Sequence, residues 1–276
     1  MSGFKENVKT EFDLQNANNG ESFTQNTRVS GVVLTLNSQK YLAKCLQSLA
    51  WCDEVVVVDS GSTDETRKIA QSFENVRFVS QEWLGFGRQK AFGVSQCQNE
   101  WVFVLDSDEV CTQELEREIA AVLGGLSQPR QTQSNSVLTN FASNASVVAF
   151  RVGRLNYFFG EPVRLMGLFP DYSVRLFNKK FANFNAAEVH EKVVANGEVG
   201  TLKNHFLHYA YDTPEQFEQK QQKYATLCTK KSLFKSLTSP VWSFFKMFVL
   251  RGGFLLGRRG FLISKGYAKY SFYKYR

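Results

Sequence analysis

The sequence lacks several features by which common classes of protein are recognised. It contains no Cys-x-x-Cys pair, and its five cysteines are odd in number and widely scattered: Cys45, Cys52, Cys97, Cys111 and Cys228. This pattern argues against a disulfide framework and against a zinc knuckle, and it predicts reduced thiols in the protein core. No Gly-x-Gly-x-x-Gly sequence follows the first predicted strand, which argues against a dinucleotide-binding dehydrogenase.

A secretion signal and a long apolar run are also missing. The opening residues, MSGFKENVKTEFDLQNANNG, are polar and carry no small-residue cleavage site, so we predict a flexible tail over residues 1–27 and a cytoplasmic protein. No apolar run reaches the roughly 18 residues needed to cross a bilayer, because Lys246 and Arg251 interrupt the best candidate. Any membrane contact is therefore expected to be peripheral, on the inner face of the cytoplasmic membrane.

Acidic residues are absent from the last part of the chain. Residues 219–276 contain 13 Lys and Arg and no Asp or Glu, whereas the rest of the chain carries 20 basic and 26 acidic residues. Aromatic residues such as Trp242 and Phe248 are interleaved with these positive charges. Three interpretations remain open: a surface for anionic membranes, a nucleic-acid-binding face, or a basic helical subdomain packed on the core.

From Val29 onward, strand and helix patterns alternate. VSGVVLTL, DEVVVVD, VRFV and WVFVL predict buried strands, and the segments SQKYLAKCLQSL and Gly87 to Gln96 have the spacing of helices. Ser62 and Glu65 have the spacing of a capping box at the start of another helix. The alternation predicts an α/β fold with a Rossmann-like, mostly parallel sheet and helices on both faces.

The composition also predicts the boundaries of the chain's parts. Residues 126–146 are rich in Gln, Ser and Asn, which predicts a flexible insertion within one catalytic domain spanning residues 28–213. Segments after this insertion predict further strands. From residue 214 to residue 276 the chain is predicted to be helical, basic and rich in aromatic residues.

Three carboxylates follow the fourth predicted strand: Asp106, Asp108 and Glu109 in WVFVLDSDEV. Ligands of open parallel sheets bind at the carboxyl ends of the strands. In an extended chain Asp106 and Asp108 would project to the same side, where two carboxylates repel each other unless a cation lies between them. Mg²⁺ or Mn²⁺ suits such ligands and also binds substrate phosphates, which predicts a diphosphate. Alternatively, these acids cap a helix that begins near Thr112.

Asp59 ends the second predicted strand and would lie on the neighbouring part of the same rim. We predict that it accepts hydrogen bonds from the base or ribose of a nucleotide. The alternative is that it only starts the turn DSGS.

These motifs resemble those of the inverting family 2 glycosyltransferases of the GT-A fold, in VVLTLNSQKYLAKCLQSL, DEVVVVDSGSTDETRKIA and WVFVLDSDE. The segments MGLFPDYSVRLFNKK, VHEKV, NHFLHYAY and KQQKYA more narrowly resemble the lipopolysaccharide-core glucosyltransferases that add β-glucose to the inner-core heptose. The resemblance extends from Val29 to the C terminus. It implies metal-assisted single displacement of a sugar, glucose, from a UDP-sugar to a lipid-linked saccharide acceptor, the lipopolysaccharide inner core.

The resemblance also implies which residues bind the donor. Thr35 and Asp59 would line the nucleotide pocket, and Asp106 and Asp108 would hold Mg²⁺ or Mn²⁺ on the diphosphate. The family's usual DDGS motif has a second acid where this chain has Ser60.

Three basic residues are further candidates for donor binding. Arg88 and Lys90, in GFGRQK, would contact phosphates, or else belong to a solvated helix face. Arg175, in VRLF, would bind the diphosphate or an acidic acceptor, or else face solvent.

An inverting transfer needs a carboxylate that takes the proton from the attacking acceptor hydroxyl. The resemblance places this base in EVHEKV, where we predict Glu191 as the base with Glu188 behind it; the usual family motif is Glu-Asp, not His-Glu. The alternative for Glu188 is a surface acid. His208 is predicted to be a third metal ligand or a phosphate donor, or else a histidine of the core.

Two other functions compete with this one. DSDEV also fits the Asp-x-Asp-x-Val motif of haloacid-dehalogenase-type phosphatases, although three strand-helix units precede it here. A non-enzymatic protein that binds membranes or nucleic acid through its basic end is the other alternative. We expect three partners: a UDP-sugar donor, a lipid-linked saccharide acceptor, and an anionic membrane surface bound through residues 219–276. We expect no nucleic acid partner.

Overall fold

A computed structural model describes residues 28–126, 147–185, 191–227 and 232–276. The predicted tail over residues 1–27, nearly all of the predicted insertion, Glu188 and Cys228 therefore lie outside the described residues. The four described cysteines are free and buried, as predicted.

The described residues form eleven strands and seven α-helices. The strands are β1 (Val29–Thr35), β2 (Glu54–Asp59), β3 (Val76–Ser80), β4 (Trp101–Asp106), β5 (Glu109–Cys111), β6 (Val147–Phe158), β7 (Glu161–Pro162), β8 (Asp171–Asn178), β9 (Ala182–Phe184), β10 (Val193–Ala195) and β11 (Glu198–Tyr211). The helices are α1 (Leu42–Gln47), α2 (Thr66–Ala70), α3 (Phe86–Gln96), α4 (Gln113–Leu126), α5 (Pro214–Leu227), α6 (Leu233–Phe245) and α7 (Gly257–Tyr275). A π-helical turn (Lys246–Leu250) and a 3₁₀ turn (Gly253–Leu256) connect the last two helices.

Nine strands join in one sheet, in the order β3-β2-β1-β4-β8-β6-β11-β5, with β7 paired to β6. Strands β1 to β4 are parallel to one another, β8 is antiparallel to β4 and to β6, and β11 runs parallel to β6. The strands predicted for the second half of the chain thus extend the first sheet. Strands β9 and β10 form a separate hairpin.

Side chains of the central strands alternate between two apolar clusters, one on each face of the sheet. Val33 and Leu105 face the cluster that contains residues of α1, α2 and α4, whereas Val32 and Val104 face the cluster that contains Val94 of α3. Because neighbouring residues of a strand point to opposite faces, an almost wholly apolar strand requires cover on both sides. The predicted α/β fold with helices on both faces is confirmed.

The predicted capping box at Ser62 and Glu65 is wrong. The Ser62 hydroxyl donates a hydrogen bond to Asp59 and accepts one from the backbone N–H of Asn37. Helix α2 begins only at Thr66, whose N–H is bonded by Asp64. Ser62 therefore joins two loops instead of capping a helix.

The C-terminal helices pack against the end of β6 through a small apolar cluster. Phe217 of α5 lies in it with Phe158 and Ile263. Gly266 of α7 permits this packing, because a Cβ there would lie 2.1 Å from the Phe217 ring. Among the residues with described positions, no helix has both the length and the apolar character needed to span a bilayer.

Candidate active site

The loops that follow β1 and β2 are bonded to each other at the carboxyl rim of the sheet. The N–H of Thr63 donates to the Asn37 side chain at 2.9 Å, and the N–H of Gln39 donates to Asp64 at 3.1 Å. Asn37 has a φ of 49°, in the left-handed region that Asn tolerates better than most residues. The two loops therefore hold each other in place beside the end of β4.

Asp59 is buried, and both of its oxygens are engaged within this edge. They accept hydrogen bonds from the Thr35 hydroxyl at 2.8 Å, from the N–H groups of Gly61 and Ser62, and from the Ser62 hydroxyl. A carboxylate offers about four acceptor sites, so these donors occupy all of them. The hydrogen bond between Thr35 and Asp59 joins the ends of β1 and β2 at this rim. Contact of either residue with a nucleotide stays a prediction.

Asp106 and Asp108 have different nearest partners, and their convergence on one cation stays a prediction. Strand β4 ends at Asp106, and Ser107 and Asp108 form a turn that leads into β5. The side chain of Asp106 lies 3.2 Å from Lys90, whereas that of Asp108 lies 3.6 Å from Nε2 of His208. The extended geometry assumed for the sequence does not continue past the end of the strand.

Lys90 is a buried cation that links two carboxylates. Its Nζ lies 3.2 Å from Asp106 and 2.9 Å from Glu191, and its side chain is 6% exposed. Burial works to lower the pKa of Lys90, but the two carboxylates outweigh burial and raise it. The solvated helix face is therefore wrong for Lys90. Arg88 is exposed on the same helix, and its contact with phosphates stays a prediction.

Arg175 is also buried, so the alternative in which it faces solvent is wrong. Its Nη2 donates to Glu109 at 2.7 Å and lies 3.5 Å from Asp106. Glu109 is fully buried, and its other oxygen accepts the backbone N–H of Asp106 at 2.8 Å. Burial raises the pKa of Glu109, against the opposing effect of Arg175. This ion pair holds the last residue of β4 in place.

The two cations determine the charge of Asp106. Burial alone would raise the pKa of Asp106, but Lys90 and Arg175 outweigh it and hold this pKa well below its usual range. Asp106 is therefore an anion at neutral pH, and its charge is already balanced by protein side chains.

Asp108 and His208 form a second pair at the same rim. His208 contacts Asp108 through Nε2, and its Nδ1 lies 2.7 Å from the side-chain oxygen of Asn156. With Nδ1 donating to Asn156, Nε2 is the nitrogen with a free lone pair. His205 instead packs edge-to-face on Phe169, away from this pair.

The predicted metal ligands fit a divalent cation in part. Among the described residues, no three Asp, Glu, His or Cys side chains are close enough together to hold a metal ion. Asp108 and the Nε2 atom of His208 are suitable donors to Mg²⁺ or Mn²⁺, which commonly takes only one or two protein ligands and completes its shell with phosphates and water. Asp106 fits less well, because Lys90 and Arg175 already neutralise it.

Glu191 lies at this site, although it is more than 80 residues away along the sequence. Its Oε1 accepts a hydrogen bond from Lys90, and its side chain is 19% exposed. It is thus a carboxylate that solvent or a substrate can reach beside Asp106. Its role as the base stays a prediction, as does that of Glu188.

Sequence reasoning missed two supporting residues of the site. Glu109 was noticed as a third acid, but nothing in its spacing distinguishes a buried partner of Arg175 from a surface charge. Asn156, which orients His208, lies on β6 without any motif around it. The apolar residues Val110 and Cys111 directly after Glu109 were the one available signal of its burial.

Comparison with known proteins gives a consistent family. A sequence model described as "Glycosyl transferase family 2" matches residues 30–126. An uncharacterized glycosyltransferase of Rickettsia typhi is 30% identical over 255 residues, which cover 86% of this chain and 82% of that protein. The lipopolysaccharide core biosynthesis glycosyltransferase LpsC of Rhizobium meliloti is 28% identical over 88% of this chain and 89% of its own length.

Solved structures are less similar. The S. aureus TarS 1-349 structure in complex with UDP is 17% identical, with a TM-score of 0.46 over 90% of each chain. The assignment to a family rests instead on two observations. The sequence relatives are matched over most of their length, and the region matched by the family model, residues 30–126, contains nearly all of β1, the whole of β2 to β4 and the turn with Asp108. The chain belongs to glycosyltransferase family 2.

Proposed function

We propose that this glycosyltransferase moves glucose from UDP-glucose to a lipid-linked saccharide, the lipopolysaccharide inner core, with inversion of the anomeric carbon. The observation that carries the proposal is the meeting of three groups at one rim: the pair Asp108 and His208, the charged pair Asp106 and Lys90, and the carboxylate Glu191. The acceptor class rests on the similarity to LpsC along most of both chains.

The charges at this rim suit a donor whose leaving group is an anion. Asp108 and His208 would hold Mg²⁺ or Mn²⁺, and that cation would offset the charge that develops on the departing diphosphate. Lys90 and Arg175 carry fixed positive charge next to Asp106, inside the protein, where electrostatic interactions are stronger than in water. Because Asp106, Glu109 and Glu191 balance these two cations, we propose that Lys90 and Arg175 act on the donor by fixing the position of Asp106, and that exposed Arg88 contacts the phosphates.

Glu191 is proposed as the base that accepts the proton of the acceptor hydroxyl as its oxygen attacks the anomeric carbon. The hydrogen bond from Lys90 fixes the position of Glu191 beside Asp106. Since the acceptor oxygen attacks opposite the departing diphosphate, a single displacement inverts the anomeric carbon.

The phosphatase alternative is not supported by the contacts of Asp106. A haloacid-dehalogenase-type enzyme would use this residue as the nucleophile, with a free oxygen directed at the phosphate. Here both Asp106 oxygens lie near cations, at 3.2 Å from Lys90 and 3.5 Å from Arg175.

The donor can be identified by a screen with UDP-, GDP- and dTDP-sugars. We expect the melting temperature to rise with UDP-glucose only when Mg²⁺ or Mn²⁺ is present, because binding to the native state stabilises it. Turnover with truncated core lipids should then give a β-linked glucoside, which NMR of the product identifies. An α-linked product would rule out inversion, and stabilisation by a GDP- or dTDP-sugar alone would rule out the donor.

We further propose that the C-terminal helices bind the surface of an anionic membrane. Exposed apolar residues recur along α6 at helical spacing, among them Phe234, Leu237, Val241 and Phe245. The turns that follow expose Leu250 and Leu255 as well, next to the basic residues of this region. An apolar stripe bordered by positive charge is the pattern of a helix that lies in a membrane interface.

Substitution of two exposed side chains tests membrane binding. The double variant Leu237→Gln/Val241→Gln should lose at least tenfold in affinity for vesicles that contain anionic phospholipid, because each apolar side chain contributes roughly 1.5 kcal/mol or more when buried. Val194→Gln, at an equally exposed valine on the β9–β10 hairpin, is the matched control. Sedimentation with vesicles measures the effect, and equal binding by the double variant and the wild type would refute the proposal.

A further inference from the structure

A cleft of about 490 Å³ opens beside Asp108, between the segment that follows β1 and the segment that joins β11 to α5. Its lining includes Lys40, Tyr41, Asp108, Tyr209, Asp212 and Lys220. This volume is within the range of small-molecule sites, about 300–1,000 Å³. Of the residues that line the cleft, Tyr41, Tyr209, Asp212 and Lys220 have no role in the function proposed above.

Tyr41 forms a wall of this cleft that is fixed in two ways. Its ring stacks on Tyr209, with centroids 4.7 Å apart and 9° between the ring planes, and Tyr209 packs in turn on Tyr157. Its hydroxyl donates a hydrogen bond to Asp212, which also pairs with Lys40 at 2.6 Å. Burial and the neighbouring Asp212 raise the pKa of Tyr41, so the hydroxyl stays protonated at neutral pH. The side chains of the protein itself therefore hold this wall in place.

The chemistry of the lining suits a hydroxylated ring. A carboxylate accepts hydrogen bonds from hydroxyls, an ammonium group donates to them, and an aromatic ring offers apolar surface to the C–H face of a pyranose. Exposed Gln216 and Gln219 of α5 add amides that donate and accept. Two lysines and two aspartates balance each other in the lining, so the cleft does not demand a charged ligand.

The position of Glu191 decides which sugar fits here. Glu191 pairs with Lys90 and is not among the residues that line the cleft. The reacting acceptor hydroxyl must reach the base, so a ring in the cleft is not the one that carries this hydroxyl. Helix α5, which lines the cleft, packs on α7 together with α6. One helix that lines the cleft therefore packs in the same group as the helices whose surface is proposed to bind the membrane.

Resting on the proposed function, we propose that this cleft binds a second sugar of the acceptor, one that does not carry the reacting hydroxyl. Tyr41 and Asp212 are its main contacts. Binding of this kind is equally strong before and at the transition state, so it lowers the KM of the acceptor and leaves kcat unchanged. An acceptor that consists of a single sugar gains nothing from it.

The test compares initial rates with two acceptors, a core lipid that carries several sugars and methyl heptoside. For Tyr41→Phe and Asp212→Asn we expect the KM of the core lipid to rise about tenfold, because the first change removes a hydroxyl and the second replaces a charged acceptor oxygen with an amide donor. We expect kcat to stay within about twofold and the KM of methyl heptoside to be unchanged. Tyr224→Phe, at an exposed tyrosine of α5 outside the lining, is the matched control and should behave as the wild type does.

Each result is decisive. Gln219→Ala is a third variant of the lining, at an exposed position where the change should leave folding intact. If all three variants have the wild-type KM for the core lipid, the assignment of the cleft is overturned and the proposed function is not. A weaker Kd for UDP-glucose in the variants, measured by calorimetry with Mn²⁺, would assign the cleft to the donor and also overturn it. Absence of any transfer by the wild-type enzyme would instead overturn the proposed function and this inference with it.

Discussion

Replacement of Asp108 by Asn is expected to slow sugar transfer severely and to leave the fold intact. The amide has nearly the same shape, and the backbone carbonyl of Asp108 still accepts the N–H of Tyr209 at 2.9 Å. What is lost is the negative charge beside His208, which the proposed cation requires. We expect the rate to fall about 10³-fold, the scale of a lost electrostatic stabiliser in an active site.

Glu74→Gln is the matched control for this variant. Glu74 is an exposed acid just before β3, at the opposite edge of the parallel strands, so its loss of charge should leave the rate unchanged. Metal-dependent turnover of UDP-glucose and thermal unfolding are measured for both proteins. A rate for Asp108→Asn within a few-fold of the wild type would remove Asp108 from the proposed site.

Replacement of Arg175 by Met is expected to have the largest effect on stability. It leaves Glu109 fully buried without its ion-pair partner, and breaking a buried pair in this way costs about 3–5 kcal/mol of the free energy of unfolding. Arg154→Met is the matched control, because its pair with Asp171 is more exposed and should contribute no more than about 1 kcal/mol. Urea unfolding at neutral pH measures both changes.

The pH dependence of Arg175→Met identifies the cause. Burial already raises the pKa of Glu109 in the native protein, and the loss of Arg175 removes the effect that opposes burial. The native state then binds a proton more tightly than the unfolded state does, so stability is retained below the unfolded pKa of about 4.3 and lost as pH rises. The double variant Arg175→Met/Glu109→Gln should recover part of the stability. A penalty independent of pH, or no recovery, would contradict this explanation.

Apolar runs and their spacing were sufficient to predict the first half of the sheet. Strands β1, β2 and β4 are largely apolar and are buried on both faces, and such runs are hard to mistake when helices alternate with them. Strand β3, at the edge of the sheet, is only partly buried. The segment Gly87 to Gln96 was likewise predicted as a helix, and α3 begins one residue earlier. The ends of β2 and β4 also placed Asp59, Asp106 and Asp108 at one rim.

Contacts between distant side chains could not be predicted in the same way. Lys90 was assigned to phosphates or to solvent, yet it pairs with Glu191 across 101 positions of the chain. A periodic pattern shows which face of a helix is apolar, but it does not show that a lysine on that helix meets two carboxylates from other elements. The same limit applies to Arg175 and Glu109, which come together only once β8 lies beside β4.

Local geometry also limited the predictions at the ends of elements. The alternation of Asp106 and Asp108 was assumed to persist beyond β4, but a turn begins there. The capping-box spacing of Ser62 and Glu65 was correct as a pattern, but Asp59 and Asn37 compete for the Ser62 hydroxyl and win it. Short polar side chains bond to whichever backbone or carboxylate group the fold brings near them.

Calorimetric titration of the wild-type protein with UDP-glucose, with Mn²⁺ and then with a chelator, most directly tests whether this rim binds a nucleoside diphosphate through a divalent cation. We predict binding with Mn²⁺ and a loss of at least tenfold in affinity with the chelator, since Asp108 and His208 would then have no cation to share with the phosphates. Equal affinity under both conditions, or no heat with Mn²⁺ present, would contradict it.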